Sequence, residues 1–343
     1  MALPTSGAIS LNAIHIEAGG SSGTLCSIND ADIRGLTPGT GYSIPTGSGT
    51  AIDFADFYGA SSRGEAVFTH IGNGSTTSSW VAPFTGTVCI LCVGGGSDGG
   101  VRTSWDGGVG GGGGALSYTN NQSITAGYTY TIRVSGAGPY GTSTGNTLFK
   151  LGSTKYCLAK SAVSRAGGAA SSGVGTVKRS GGSGGGGGTD GSGGGGAAGY
   201  GGNGGNGEQL NWWGNVYTAA TSGSGGGGGG GGAYGTYGGG AQYGGGGGGG
   251  VGIYGQGSNG AGGTGSGAPG GGAGSGGGAG GNGVSNGAAG NGGAYGGGGG
   301  GQCDGYGSTS YPIPTANGGF GNGGVVRIIW GSGRAFPSTD TGT

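Results

Sequence analysis

Charge is scarce in this chain: 7% of its 343 residues are charged, Lys+Arg 12 against Asp+Glu 12, and neither Lys nor Arg occurs between Ser180 and Phe320. A nucleic-acid partner is therefore not expected, because phosphate contact needs a basic stripe and RGG segments need arginine. Long apolar runs are missing too. No stretch of about 20 apolar residues could cross a bilayer, and the opening MALPTSGAIS has neither a basic start nor an apolar centre, so the chain is expected to be soluble at synthesis. Proline is rare at 9 residues, against 113 glycines. Glycine near one third without abundant proline or a strict Gly-X-Y period excludes collagen.

The scarcity of reactive residues excludes most chemistry. The two histidines, His15 and His70, fall in different parts of the chain, and no Ser, His and acid grouping is suggested. No Gly-Lys pair exists for a phosphate-binding loop, and GxGxxG matches are too frequent to carry meaning. Acids such as Asp98, Asp106, Asp190 and Asp304 lack calcium-loop spacing. Five cysteines are an odd number with no framework spacing. Cys89 and Cys92 form C-x-x-C inside TVCILCV, where a strand would send them to opposite faces. No enzyme activity, metal or cofactor is expected.

What the chain has is glycine. About half the residues from Ser180 to Phe320 are Gly, so no side-chain core can form there and the backbone must supply any structure. Two states are open: a flexible coil, or extended helices of three residues per turn, laid side by side with hydrogen bonds between them. The second is favoured, because Tyr, Trp, Asn and Ala-Pro interrupt the tract as corners between straight rods.

Before the tract, residues 1–62 read as a small module. Ile9, Leu11, Ile14 and Ile16 give a partly alternating run. Ser27 to Asp30 offers a helix cap with Gly35 as the stop, and Asp53 precedes an aromatic turn of Phe54, Phe57 and Tyr58. Its apolar residues are few, so it is expected to dock on a partner or on its own copies. Residues 63–164 read as an antiparallel β-sandwich, with strands at 66–70, 79–82, 87–93, 115–119, 128–134, 147–151 and 154–158. Turns are written at Thr125-Ala-Gly127 and Leu151-Gly-Ser-Thr154. The sandwich is completed by strand 325–330, predicted to pair beside 87–93. The glycine domain, 165–324, is then an excursion whose ends are pinned. Residues 331–343 read as a loosely held tail. The fold class is mainly β.

The succession WVAPFTGTVCILCVGGG, GGGGALSYTNNQSITAGYTYTIRV and GNGGVVRIIWG resembles the glycine-rich domain of tailed-bacteriophage tail fibre and adhesin proteins, over about residues 67–331. The segments MALPTSGAISLNAIHIEAGG, SINDADIRGL and IDFADFYGAS look like the N-terminal module of many phage structural proteins. The resemblance implies a non-enzymatic virion protein, made in the host bacterial cytoplasm and placed in the virion tail. Its glycine domain would be built of packed polyglycine II helices. Its N-terminal module would anchor to other tail or capsid proteins, and it would assemble as a homo-oligomer, a trimer among the forms. Its partner would be a host cell-surface glycan or an outer-membrane protein. A purely structural role, as fibre stalk or capsid decoration, is the alternative, and an ice-binding or cell-surface protein comes third.

Candidate contact residues are the aromatic interruptions and their polar neighbours. The loop Glu208 to Tyr217 gathers Glu208, Asn211, Trp212, Trp213, Asn215 and Tyr217, and flat aromatic faces beside planar polar groups suit sugars or protein loops. Tyr200, Tyr254, Tyr306 and Tyr311 complete the receptor-binding set.

Overall fold

The structure is a computed structural model. It describes residues 3–39, 41–47, 49–100, 108–186, 191–210, 216–233, 244–264, 267–284, 288–302, 318–331 and 334–338.

The first 62 residues contain two short α-helices and a 3-10 turn. Ser10 Oγ accepts the Ala13 N–H at 3.1 Å and starts α1 (Leu11–Glu17), so Leu11, Ile14 and Ile16 are helical rather than alternating, and Ile9 precedes the cap. Helical spacing buries Ile14 and leaves Ile16 exposed. The cap of α2 (Ala31–Arg34) is Asp30, not Ser27, and Gly35 closes it. Asp53 and Asp56 form a reciprocal capping box around Phe54–Phe57. That turn buries Phe57 and exposes Phe54, so one aromatic ring is presented, not a face of them. Leu3, Ile14, Ile33, Leu36, Ile44, Phe57 and Ala60 make a small core of their own.

Two antiparallel sheets follow. They are formed by β1 (Gly64–Thr69), β2 (Ser75–Val81), β3 (Gly86–Val93), β4 (Leu116–Ile124), β5 (Thr129–Ser135), β6 (Thr147–Leu151), β7 (Thr154–Ala159), β8 (Val177–Arg179) and β11 (Val325–Trp330). One sheet runs β1-β11-β3-β4-β8 and the other β2-β5-β6-β7. Inward residues of both, including Trp80, Ile90, Cys92, Tyr130, Ile132, Phe149 and Ile328, share one core. The Trp80 ring lies 5.8 to 6.0 Å from those of Tyr130, Phe149 and Trp330. Strand 325–330 pairs with β3 as predicted, Val325 opposite Val93 and Ile329 opposite Cys89, and pairs with β1 on its other side. Cys89 and Cys92 do face opposite sides of the sheet. The turn at 151–154 makes the β6–β7 hairpin. The one at 125–127 instead carries the chain from one sheet to the other.

Strands β3, β4 and β11 run directly into glycine segments at 94–100, 108–115 and 318–324. Here the hydrogen bonds change period. Along 192–198, every third N–H goes to the same neighbour: Ser192, Gly195 and Ala198 donate to Gly108, Gly111 and Gly114. Gly193 and Gly196 donate to Glu208 and Gly205, and Gly194 and Ala197 to Gly246 and Gly249. The first and third neighbours are parallel and the second antiparallel. Its carbonyls accept in the same rhythm from 182–185, 228–231 and 298–301. Segment 245–251 repeats the pattern with 295–301, 229–232 and 278–281. Each N–H therefore has a partner although the segments carry almost no side chains.

Where a segment lies at the edge, an asparagine side chain takes the place of the missing neighbour. The Oδ1 atoms of Asn203 and Asn206 accept the N–H groups of Ser180 and Ser183 at 3.0 and 2.9 Å. Those of Asn259, Asn282 and Asn291 do the same for Gly226, Gly270 and Phe320. These asparagines seal edges rather than turn corners.

Among the side chains that the tract buries, Ala197, Ala198, Tyr200, Val251 and Ile253 lie on the outer face of the five-stranded sheet with Cys89, Leu91, Tyr118 and Ile329. Within the predicted tail 331–343, Phe336 is held here as well, while 332–333 and 339–343 lie outside the described residues. Phe336 stacks on Tyr200 at 6.0 Å, and Asn120 bonds its backbone in both directions, accepting from Phe336 N–H at 3.0 Å and donating to Phe336 O at 2.6 Å.

Candidate functional site

Because the segments are straight and in register, their ends collect. Gly108 N–H reaches Gln302 O and Ser192 N–H reaches Gly108 O. Gly245 N–H reaches Gly301 O, Gly193 N–H reaches Glu208 O, and Ser192 Oγ donates to Gly186 O. The stretches between 100 and 108, 186 and 191, 210 and 216, 233 and 244, and 302 and 318 thus all depart from one end of the bundle. That end is remote from the sheets, since 94, 115 and 324 at the opposite end join β3, β4 and β11 directly. By sequence, these stretches carry Trp105, Trp212, Trp213, Tyr234, Tyr237, Tyr243, Tyr306 and Tyr311.

Residues 1–62 attach at the other pole. Gly64 pairs with Trp330, the end of β11 furthest from the glycine segments, while Thr69 pairs with Val325 next to them. The order along the described residues is small module, sheets, glycine bundle.

The predicted contact residues separate on inspection. Glu208 and the arms of a two-stranded ribbon, β9 (Gln209–Leu210) and β10 (Val216–Thr218), lie at the loop-bearing end. Asn211, Trp212, Trp213, Asn215, Tyr306 and Tyr311 lie outside the described residues, as does the side chain of Tyr217. Tyr200 is not available for contact: its ring is 1% exposed, its hydroxyl donates to Gly252 O at 3.1 Å and accepts Gly255 N–H at 3.2 Å, and burial raises its pKa. It is a packing residue of the joint between sheet and bundle. Tyr254 is half exposed, with Arg327 placed 4.6 Å from its ring centre.

Glu208 is also buried rather than displayed, and its carboxylate accepts the Ala233 N–H at 2.7 Å. It thereby ties the base of the loop after 210 to that of the loop after 233. Burial pushes its carboxyl above the usual glutamate range, and the Ala233 N–H offsets this in part. The folded chain thus holds this proton to higher pH than the unfolded chain does. Stability from this group falls as pH rises from about 4.3, the ordinary value, through the raised one. Glu208→Gln keeps an acceptor and removes the charge. Its thermal midpoint is expected above wild type at pH 7 and level with it near pH 4. A midpoint lower at both pH values would mean that the charge itself stabilises the tie.

The edge asparagines were missed as structural groups, although GGNGGNG at 201–207 already shows them at a period of three. No family model matches this chain, and no curated protein matches it.

Proposed function

We propose that this chain is a non-enzymatic virion protein of a tailed bacteriophage, a tail fibre or tail-tip adhesin that meets the host surface through loops of its glycine-rich domain. We further propose that the glycine segments form a lattice of polyglycine II helices. The period of three in their hydrogen bonds supports this, since a helix of three residues per turn returns each N–H to the same side every third residue. At about 3.1 Å per residue, the seven residues from 192 to 198 span roughly 20 Å. Residues 1–62 act as the virion anchor.

The observation that carries the adhesin reading is the convergence of loop bases at one pole, with the small module at the other. A stiff bundle without side chains of its own serves well as a spacer, because little in it can change shape when the loops are engaged. Aromatic residues that gather on such loops suit contact, since Trp and Tyr dominate binding energy in most interfaces.

The test replaces Trp212 and Trp213 by alanine in assembled particles. Hot-spot aromatics commonly contribute about 2 kcal/mol or more each, so host adsorption is expected to fall at least tenfold while particle assembly is unchanged. Normal adsorption would remove this loop from the contact surface. Failure to incorporate the protein would favour the purely structural role, with the indoles at a subunit interface.

A further inference from the structure

A second surface, on the flank of the molecule rather than at its loop-bearing pole, carries an unbalanced positive charge. Between 108 and 186 the chain has seven Lys or Arg residues and no Asp or Glu. Three of them share the outward face of the four-stranded sheet. Its core-facing residues Tyr130, Ile132 and Phe149 fix the alternation. The register then puts Thr77 opposite Arg133, Ser79 opposite Thr131, Thr131 opposite Lys150, and Lys150 opposite Lys155. None of these six is buried. Among the described residues, no carboxylate pairs with Arg133, Lys150 or Lys155, whereas Glu65 pairs with Arg327 and Arg334.

Folding does not account for this arrangement. Like charges directly opposite on adjacent strands are destabilising, and Lys150 and Lys155 occupy such a pair beside a third cation. Arg133 is moreover held in place, its Nε donating to Asn146 O at 2.9 Å. One held cation and two lysines interleaved with the hydroxyls of Thr77, Ser79 and Thr131 present charge and neutral hydrogen-bonding groups on one sheet face. Sugar hydroxyls and acidic groups alternate in the same way along an acidic polysaccharide.

We propose that the outward face formed by Thr77, Ser79, Thr131, Arg133, Lys150 and Lys155 binds an anionic polysaccharide. A nucleic acid is disfavoured, because the chain is neutral overall and three cations on one sheet face fall short of a basic stripe. The surface is separate from the distal loops and does not depend on their role.

The experiment uses the full chain, with dextran sulfate, neutral dextran and a short DNA duplex as probes in a surface-binding assay. Wild type is expected to bind dextran sulfate and not neutral dextran, with affinity falling steeply as NaCl is raised. The Lys150→Glu/Lys155→Glu variant should lose at least tenfold in affinity. The single Lys150→Glu variant should also bind more weakly, yet melt no lower than wild type, since it replaces a like-charge pair with an opposite one. The Trp212→Ala/Trp213→Ala variant should bind dextran sulfate as wild type does, which separates this surface from the loops. Equal binding of the two dextrans, less than threefold loss in the double variant, or tighter binding to the duplex would overturn the proposal.

Discussion

Replacing Gly248 by alanine is expected to prevent the glycine domain from packing. A Cβ there would lie 2.1 Å from the carbonyl oxygen of Gly195, and its neighbours are no freer: at Gly247 it would meet Asn291 O at 2.0 Å, and at Gly249 Gly272 O at 1.9 Å. Each successive residue presses on a different segment. The obstructing atoms are backbone carbonyls that are themselves engaged, Gly195 O accepting Gly298 N–H at 2.9 Å. No side chain can rotate away to make room. Overpacking in an ordinary core costs about 1–3 kcal/mol, and losing the two hydrogen bonds of the displaced Gly195, its N–H to Gly111 O and its carbonyl from Gly298 N–H, adds about 1 kcal/mol each. The sum, about 3–5 kcal/mol, approaches the whole stability of a marginal domain. Gly281→Ala is the control. That residue is exposed, and its Cβ would meet nothing nearer than Asn291 N at 3.2 Å, so the cost should stay under about 1 kcal/mol. Denaturant midpoints of the two variants decide the matter. If they coincide, the segments are not closely packed against one another and the lattice reading fails.

The contrast between these two glycines marks how far the sequence could be read. The strands were legible because Val88, Ile90 and Cys92 alternate with Cys89, Leu91 and Val93 in one run, and both sets are buried, one against the facing sheet and one against the glycine bundle. Strand 325–330 was legible for the same reason: VVRIIW is apolar on both faces, which a strand inside a sheet requires. The short β8 was not, because Val177–Arg179 has one apolar residue and is defined only by its pairing with Leu116 to Tyr118. Within the tract a lone side chain gives no sign of which way it points. Tyr200 and Tyr254 look alike in sequence, yet one fills the joint with Phe336 and the other is half exposed. The same limit applies to Phe336, whose partners lie more than a hundred residues away in the chain. The aromatic stretches such as 211–215 were legible as composition alone, while the convergence of the residues that flank them followed from the register of the glycine segments.

Arg327→Ala should produce the largest loss of stability outside the glycine segments. Arg327 is fully buried in the middle of β11, and its guanidinium is shared between β1 and the glycine domain. Nε and Nη2 donate to Glu65 Oε2 on β1 at 3.1 and 2.5 Å, Nη1 donates to Ile253 O in the glycine domain at 2.9 Å, and the Tyr254 ring lies 4.6 Å away. Glu65 is shared with Arg334, whose Nη2 stands 3.6 Å from the same oxygen and whose Nη1 donates to Gly64 O. Removing the guanidinium leaves Ile253 O without its donor and Glu65 with a weaker partner, beside a cavity where the side chain was. Breaking a buried pair from one side costs about 3–5 kcal/mol. Arg327→Met combined with Glu65→Gln should recover part of that loss, because it removes the unpaired charge and restores volume. Urea unfolding of the three proteins reads the difference. A loss below about 1 kcal/mol in Arg327→Ala would show that the sheet and the bundle are held together by the apolar contacts around Phe336 alone. The expected result instead makes Arg327 the polar tie between β11, β1 and the glycine segment that carries Ile253 and Tyr254.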